Sequence, residues 1–372
     1  MKKILGLCNL CDGPHLEKIS LTRPLGTTTF LGRYSIMDFT LSNFSNSGID
    51  RVGIIIENHV QSIRSHTRDG NIWINNTKKG FQRLLINENG FSNPKFNTDI
   101  NNLIYNKEFL IDLDMDYVVI APVFFLMSFN FKDMIKAHEE SGEEITVLYT
   151  KSNKANEKFI NCDNIRIDSE GLLFDASTVS SDTKKANVSL EAFVINRDTL
   201  FELLEKAPKV SSLFNIRQLV YYLAKNNLKK VNTYEYKGYV APILTMNDYV
   251  KYSFDMLSYQ NRTQLFNEDW PIYTTSHNTP PSLYGKNADV NNSFIANGSI
   301  IKGKVINSII SRDVIVEEGV VIENCILFTK TKVDKDTKLK YVLADKKVNI
   351  KQIKNVEGKE DEIFYIALGA NI

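Results

Sequence analysis

Three arginines near the start of the chain, Arg23, Arg33 and Arg51, carry the side chain best suited to holding an oxyanion. A planar guanidinium can grip a phosphate through two parallel N–H donors. Other reactive groups are sparse. Cys8 and Cys11 form a single C-x-x-C with no second pair, which argues against a structural zinc site. Two readings are left, a redox pair or two small side chains ending a first strand, and the second is the simpler. Asp112, Asp114 and Asp116 are carboxylates a metal could use, but they precede an apolar run and so fall at the wrong end of a strand. His66 reads as a half-buried helical histidine. Asp38 reads as a structural hydrogen-bonding residue, and Asn43, Asn46 and Ser47 as groups that cap a helix or link it to the next strand.

The elements that must position these groups alternate between strands and helices. Lys3–Leu7, Arg51–Ile56, Tyr117–Ala121, Ile145–Tyr149 and Leu190–Ile195 are strand candidates. Ile36–Ser47, His59–His66, Phe131–Ser141 and Arg197–Lys206 have helical patterns. In the first of these, Ile36, Phe39, Leu41 and Phe44 are core candidates, and in the last, Leu200, Phe201, Leu203 and Leu204 share a face. Tyr221 and Tyr222 lie in another apolar helical run and read as core packing. Such alternation predicts an α/β domain with a mainly parallel, mixed sheet, whose ligands sit beyond the carboxyl ends of strands. Ile72–Glu108, rich in Asn, Lys and Gly, reads as a long surface loop.

After Tyr284 the pattern changes. Asn292-Ser-Phe-Ile, Asn307-Ser-Ile-Ile, Asn324-Cys-Ile-Leu and Lys340-Tyr-Val-Leu recur, with β-branched residues between them and Gly298, Gly303 and Gly319 at turns. That is the signature of a parallel β-helix built from hexapeptide repeats. The expected organisation is therefore a Rossmann-like domain over 1–250, a proline-containing linker over 251–283 and a β-helix over 284–372.

Gly32-Arg-Tyr-Ser-Ile-Met-Asp-Phe-Thr-Leu-Ser-Asn-Phe-Ser-Asn-Ser-Gly-Ile resembles a long motif of the ADP-glucose pyrophosphorylase family, G-K-F-R-I-I-D-F-A-L-S-N-x-x-N-S-G-I. Ser62, His66 and Gly70 fit the stretch that follows, and Tyr284-Gly-Lys-Asn-Ala, Ile295-Ala-Asn-Gly and Asn307-Ser-Ile-Ile-Ser-Arg resemble the start of the family's β-helix. The resemblance implies a Rossmann-like nucleotidyltransferase-type domain followed by a left-handed β-helix. It also implies a reaction, the joining of glucose 1-phosphate to ATP, which depends on positioning and on charge neutralisation by N–H groups, cations and Mg²⁺.

The chain departs from that pattern where the chemistry is done. The family's loop G-G-x-G-T-R-L is replaced by Leu7-Cys-Asn-Leu-Cys-Asp-Gly-Pro-His-Leu, which has one glycine, no arginine, and an Asp12 that would repel phosphate. Leu25 takes the place of a phosphate-contacting lysine. Phe124 and Pro242 take the places of two metal-binding aspartates, and neither side chain can hold Mg²⁺. Arg33 matches a family lysine implicated in binding sugar-phosphate effectors. By this resemblance the chain is similar to the family's non-catalytic, D-type subunits. It is expected to bind no cofactor, with Mg²⁺ held by a catalytic partner in a heterotetramer, and to form a homo-oligomer when alone. Two other readings compete. A weakly active nucleotidyltransferase would need carboxylates from elsewhere. A hexapeptide acyltransferase usually depends on a histidine in or beside its β-helix, and the last histidine here, His277, precedes the repeats.

Lys+Arg 45 against Asp+Glu 44 leaves a charge of +1, which gives no electrostatic reason to expect nucleic acid or an anionic membrane as partner. No stretch reaches membrane-spanning length and none reads as a signal peptide, so a cytoplasmic location is expected.

Overall fold

Strand Ile4–Asn9 (β1) is apolar on both faces because it lies at the centre of a sheet. The structure, a computed structural model, describes residues 2–91 and 93–372. Contacts divide the chain into two compact units that are interleaved in sequence. One unit comprises residues 1–13, 39–242 and 268–273; the other comprises 14–38, 243–267 and 274–372. The stretch expected to be a linker therefore belongs to both, and it carries helical turns.

In the first unit, β1 is followed by Arg51–Ile56 (β2), Phe81–Ile86 (β3), Tyr117–Pro122 (β4), Ile145–Ser152 (β5), Asp163–Ile167 (β6), Leu173–Thr178 (β7), Ala186–Asn196 (β8) and Asn232–Glu235 (β9). The main strand order is β7-β6-β8-β4-β1-β2-β3, with β5 pairing β8 and β9 pairing β5. β1 is parallel to both β2 and β4, while β8 runs antiparallel to β4. The chain thus moves outward through β2 and β3, then returns to the other side of β1. That reversal opens a crevice at the carboxyl ends of β1 and β4, where Asn9 pairs with Pro122.

The helices of this region are Met37–Asn46 (α1), Val60–Thr67 (α2), Asp99–Tyr105 (α3), Lys107–Ile111 (α4), Phe131–Ser141 (α5), Ala155–Lys158 (α6), Arg197–Val210 (α7) and Ile216–Lys225 (α8). Leu200, Leu203 and Leu204 of α7 are buried against the sheet as expected, with Phe201 packed at the margin. Tyr221 and Tyr222 also pack at that core. Gly6 matters because a Cβ there would lie 3.0 Å from the Phe44 ring, so its absence lets α1 close onto β1.

The stretch Ile72–Glu108 is not a featureless loop. It supplies β3, α3 and the start of α4. β3 is an edge strand in which only Leu85 is fully shielded, so its apolar alternation is too weak to read from sequence.

In the second unit, Met246–Asp255 (α9) and Tyr259–Leu265 (α10) precede three parallel sheets of five short strands each. These are the faces of a parallel β-helix. Ile301, Val305, Ile310, Val316, Ile322, Leu327 and Val333 fill its interior. Each turn of one corner needs a left-handed backbone, at Asn292, Asn307, Asn324 and Tyr341. The fourth repeat therefore begins at Tyr341, one residue later than expected. Among the described residues no helix is long and apolar enough to cross a membrane.

Candidate functional site

The crevice beyond β1 and β4 is the place where a parallel sheet offers a ligand its strand ends. Here it is filled by the chain itself. About 20 Å³ is left, room for about one water. Phe124, which follows β4, is 5% exposed and lies against Gly13, whose Cβ position would be 3.7 Å from the ring. Phe124 also packs on Phe125 with ring centroids 4.7 Å apart. Phe125 in turn pairs with the buried Pro242, so the structure brings the Phe124 and Pro242 segments together.

Carboxyls line the rest. Thr98 caps α3 by accepting from the Asn101 N–H, which fixes Asp99 in the first turn. A capping box of Asn215 and Gln218 starts α8. The buried Asp99 Oδ1 accepts from the N–H groups of Ile100 and Ile216 at 2.6 and 3.0 Å, and Asn9 Nδ2 donates to Oδ2 at 2.9 Å. Asp99 thereby joins α3, α8 and β1. Burial, reinforced by the charge of Asp12, pushes its carboxyl up to about 7 against those three donors.

Across the crevice, β8 carries a bulge between Ser189 and Phe193. Glu191 sits in it with φ of 53°, a conformation that suits glycine better. Its Oε1 accepts from Arg217 Nη1 at 2.8 Å, and Asp163 lies 3.0 Å from the same nitrogen. Burial pushes Glu191 up to about 7, with Asp163 adding and Arg217 opposing. Arg217 loses basicity to burial but regains more from Glu191 and Asp163, so it stays charged. One guanidinium therefore pairs with two carboxyls, those of Asp163 and Glu191, and its charge reaches a third, Asp12, while Asp99 lines the same crevice.

This arrangement does not fit Mg²⁺ and a triphosphate. The metal needs free oxygen ligands, but Asp99 is consumed by N–H donors and Glu191 and Asp163 by Arg217. Sequence reasoning missed Asn9, Asp99, Asp163, Glu191 and Arg217, which no local motif connects. The one available signal was a glutamate in the middle of an apolar strand.

The other expected residues are dispersed. Arg51 starts β2, at the opposite end of the sheet from the crevice, and donates to the Asp114 carbonyl at 2.7 Å. Asp114 and Asp116 are held at that same end by Lys3. Cys8 and Cys11 are both buried, and burial pushes the Cys11 thiol well up, so it stays a thiol. Asn43 and Ser47 link α1 to the segment before α5, not to the next strand: Phe129 and Phe131 N–H groups donate to them at 3.1 and 2.9 Å. Asn46 donates to the Pro271 carbonyl. His66 is half-buried beside Trp73.

In the second unit, Leu25 is buried in a short 3-10 turn, and Asp38 accepts from the Ser35 N–H at 2.8 Å. Arg23 has a carboxylate partner. It is 3% exposed, and its Nη2 bonds both oxygens of the fully buried Asp345, one of them at 2.6 Å. Tyr365 donates to Asp345 at 2.6 Å. Arg23 Nη1 is buried without a partner among the described residues. Nearby Lys346 is pushed down to about 8 by burial and by Arg23. Two cations thus share one carboxylate. Arg33 is exposed over the Tyr34 ring, and Arg312 is lowered by burial and by Arg33's charge.

Residues 12–159 match the nucleotidyl transferase family model and residues 281–363 match the GlmU-like C-terminal hexapeptide model. The chain is 26% identical over 345 residues to the glycogen biosynthesis protein GlgD of Bacillus subtilis, covering 91% of this chain and 83% of the relative. It is 25% identical over 333 residues to the glucose-1-phosphate adenylyltransferase of Fusobacterium nucleatum, covering 88% and 81%. It is 26% identical over 277 residues to that of Clostridioides difficile, covering 73% and 70%.

Proposed function

We propose that the chain is a non-catalytic subunit of the glucose-1-phosphate adenylyltransferase (ADP-glucose pyrophosphorylase) family of glycogen biosynthesis, a reading supported by its similarity to the relatives above. It assembles in the cytoplasm with a catalytic subunit as a heterotetramer, or with itself when alone, and changes the partner's kinetics. Mg²⁺ and both substrates are handled by the partner.

The observation that carries this reading is the occupied crevice. Transfer to the α-phosphorus of ATP requires backbone donors, cations and metal around the triphosphate. This chain instead places Phe124 against Gly13 and gathers the carboxyls of Asp12, Asp99 and Glu191 in the crevice, with Asp163 beside it and Arg217 the one cation among the described residues that line it. An acidic crevice with room for about one water opposes a polyanion twice over, by repulsion and by sterics.

What the chain offers an anion lies in the second unit. The unpaired Arg23 Nη1, Lys346 and the Arg33–Arg312 pair support binding of a sugar-phosphate effector.

The test is ADP-glucose formation from ATP, glucose 1-phosphate and Mg²⁺, with this chain alone, the catalytic subunit alone, and the co-expressed pair. Background rates alone and altered kinetics in the pair are expected. Clear turnover by this chain alone would refute the proposal.

A further inference from the structure

The second unit contains a groove that the reading above does not use. It holds about 440 Å³, within the usual span of small-molecule sites. One wall is a corner of the β-helix. There Asn292, Asn307, Asn324 and Tyr341 occupy equivalent places on successive coils, with φ between 44° and 51°. Neighbouring coils are separated by the inter-strand spacing of about 4.8 Å. The corner therefore presents a column of carboxamides that steps by roughly the length of one pyranose ring.

The facing wall comes from α9 and α10 and includes Phe254, Ser258 and Asn261. Glu360 and Ile363 reach the groove from an insertion in the last coil. Val342 pairs with Phe364, 22 residues on, where earlier coils at this face take 15 or 17.

The chemistry of these walls is selective. A carboxamide both donates and accepts, as a sugar hydroxyl does. Carboxylates, here Asp255 and Glu360, accept from hydroxyls but repel anions. Phe254 and Tyr341 offer apolar faces of the kind that C–H faces of a sugar ring cover. Among the described residues no lysine or arginine lines the groove, so it is unsuited to a phosphate. The amides are also partly set for a ligand. Asn292 Nδ2 donates to Asn307 Oδ1 at 2.7 Å, which orients the Asn307 amide, and no bond within the described residues engages the Asn324 carboxamide.

We propose that this groove binds a short neutral oligosaccharide. The inference is independent of whether the chain is catalytic, because it concerns a different cavity with different charge.

The experiment is calorimetric titration of the full chain with maltoheptaose and with cellopentaose, and with glucose 6-phosphate as the anionic control. Saturable binding of at least one neutral sugar is expected. Asn307→Gly combined with Asn324→Gly should weaken it about tenfold, equivalent to ~1.4 kcal/mol. Glycine keeps the left-handed corner, so the fold survives while the amides go. Asn261→Ala on the opposite wall should also weaken binding. Absence of saturable binding of either neutral sugar would overturn the proposal. So would binding unchanged in both variants, or groove-dependent binding of the phosphate in preference to the sugars.

Discussion

At the residue scale, the crevice couples charge to stability. Asp99 and Glu191 titrate at about 7 in the folded chain, against roughly 4 for free carboxyls. Between those values the folded chain retains protons that the unfolded chain has lost. Their contribution is therefore greatest below about pH 4 and is lost as pH rises to about 7. Asp114, Glu144 and Glu235, held low by lysines, work in the opposite sense but titrate below this window; His138, lowered by burial, opposes within it, one group against two. The melting temperature is expected to fall between pH 5 and pH 8. Glu191→Gln removes one of the two titrations and should reduce that slope. A melting temperature that rises across the window, or a slope the variant leaves unchanged, would show that burial does not govern these carboxyls.

At the element scale, what could be read from sequence depended on pattern strength. Arg51–Ile56 and Phe131–Ser141 carry clear strand and helix periodicities, and the structure gives both the expected bounds. β3 was hidden by its half-exposed edge position. The β-helix was legible from its asparagines, but its fourth repeat was misplaced because an aromatic residue, Tyr341, fills the corner that asparagine fills elsewhere. The crevice was half legible. Phe124 and Pro242 stand out as departures from the motifs the sequence resembles, whereas Glu191, Asp163 and Arg217 meet only after folding. The Tyr341 corner also carries a prediction. A bulky residue at φ of 51° is strained, so Tyr341→Asn should stabilise the chain by about 1 kcal/mol in thermal unfolding. The same change should weaken oligosaccharide binding by removing a ring from the groove. A variant less stable than the parent would mean that the Tyr341 ring contributes more than its backbone costs.

At the scale of the whole molecule, the two compact units do not follow a cut between an N-terminal and a C-terminal half. Residues 14–38 and 243–267 group with the β-helix. The contacts explain why. Arg23 neutralises Asp345, which is 0% exposed. Tyr249 of α9 donates to the Thr29 carbonyl at 2.6 Å and packs edge-on to Phe328. A fragment of residues 284–372 would keep Asp345 and Phe328 but lose their partners Arg23 and Tyr249. Removing one member of a buried ion pair costs about 3–5 kcal/mol, a large share of the roughly 5–15 kcal/mol that stabilises a domain. The isolated fragment is expected to melt far below the full chain, or with no cooperative transition. In the full chain, Asp345→Ala should lower the melting temperature by leaving Arg23 buried and unpaired. A 284–372 fragment that unfolds cooperatively at the full chain's temperature would establish the β-helix as self-sufficient and reduce the Arg23 segment to a surface strap.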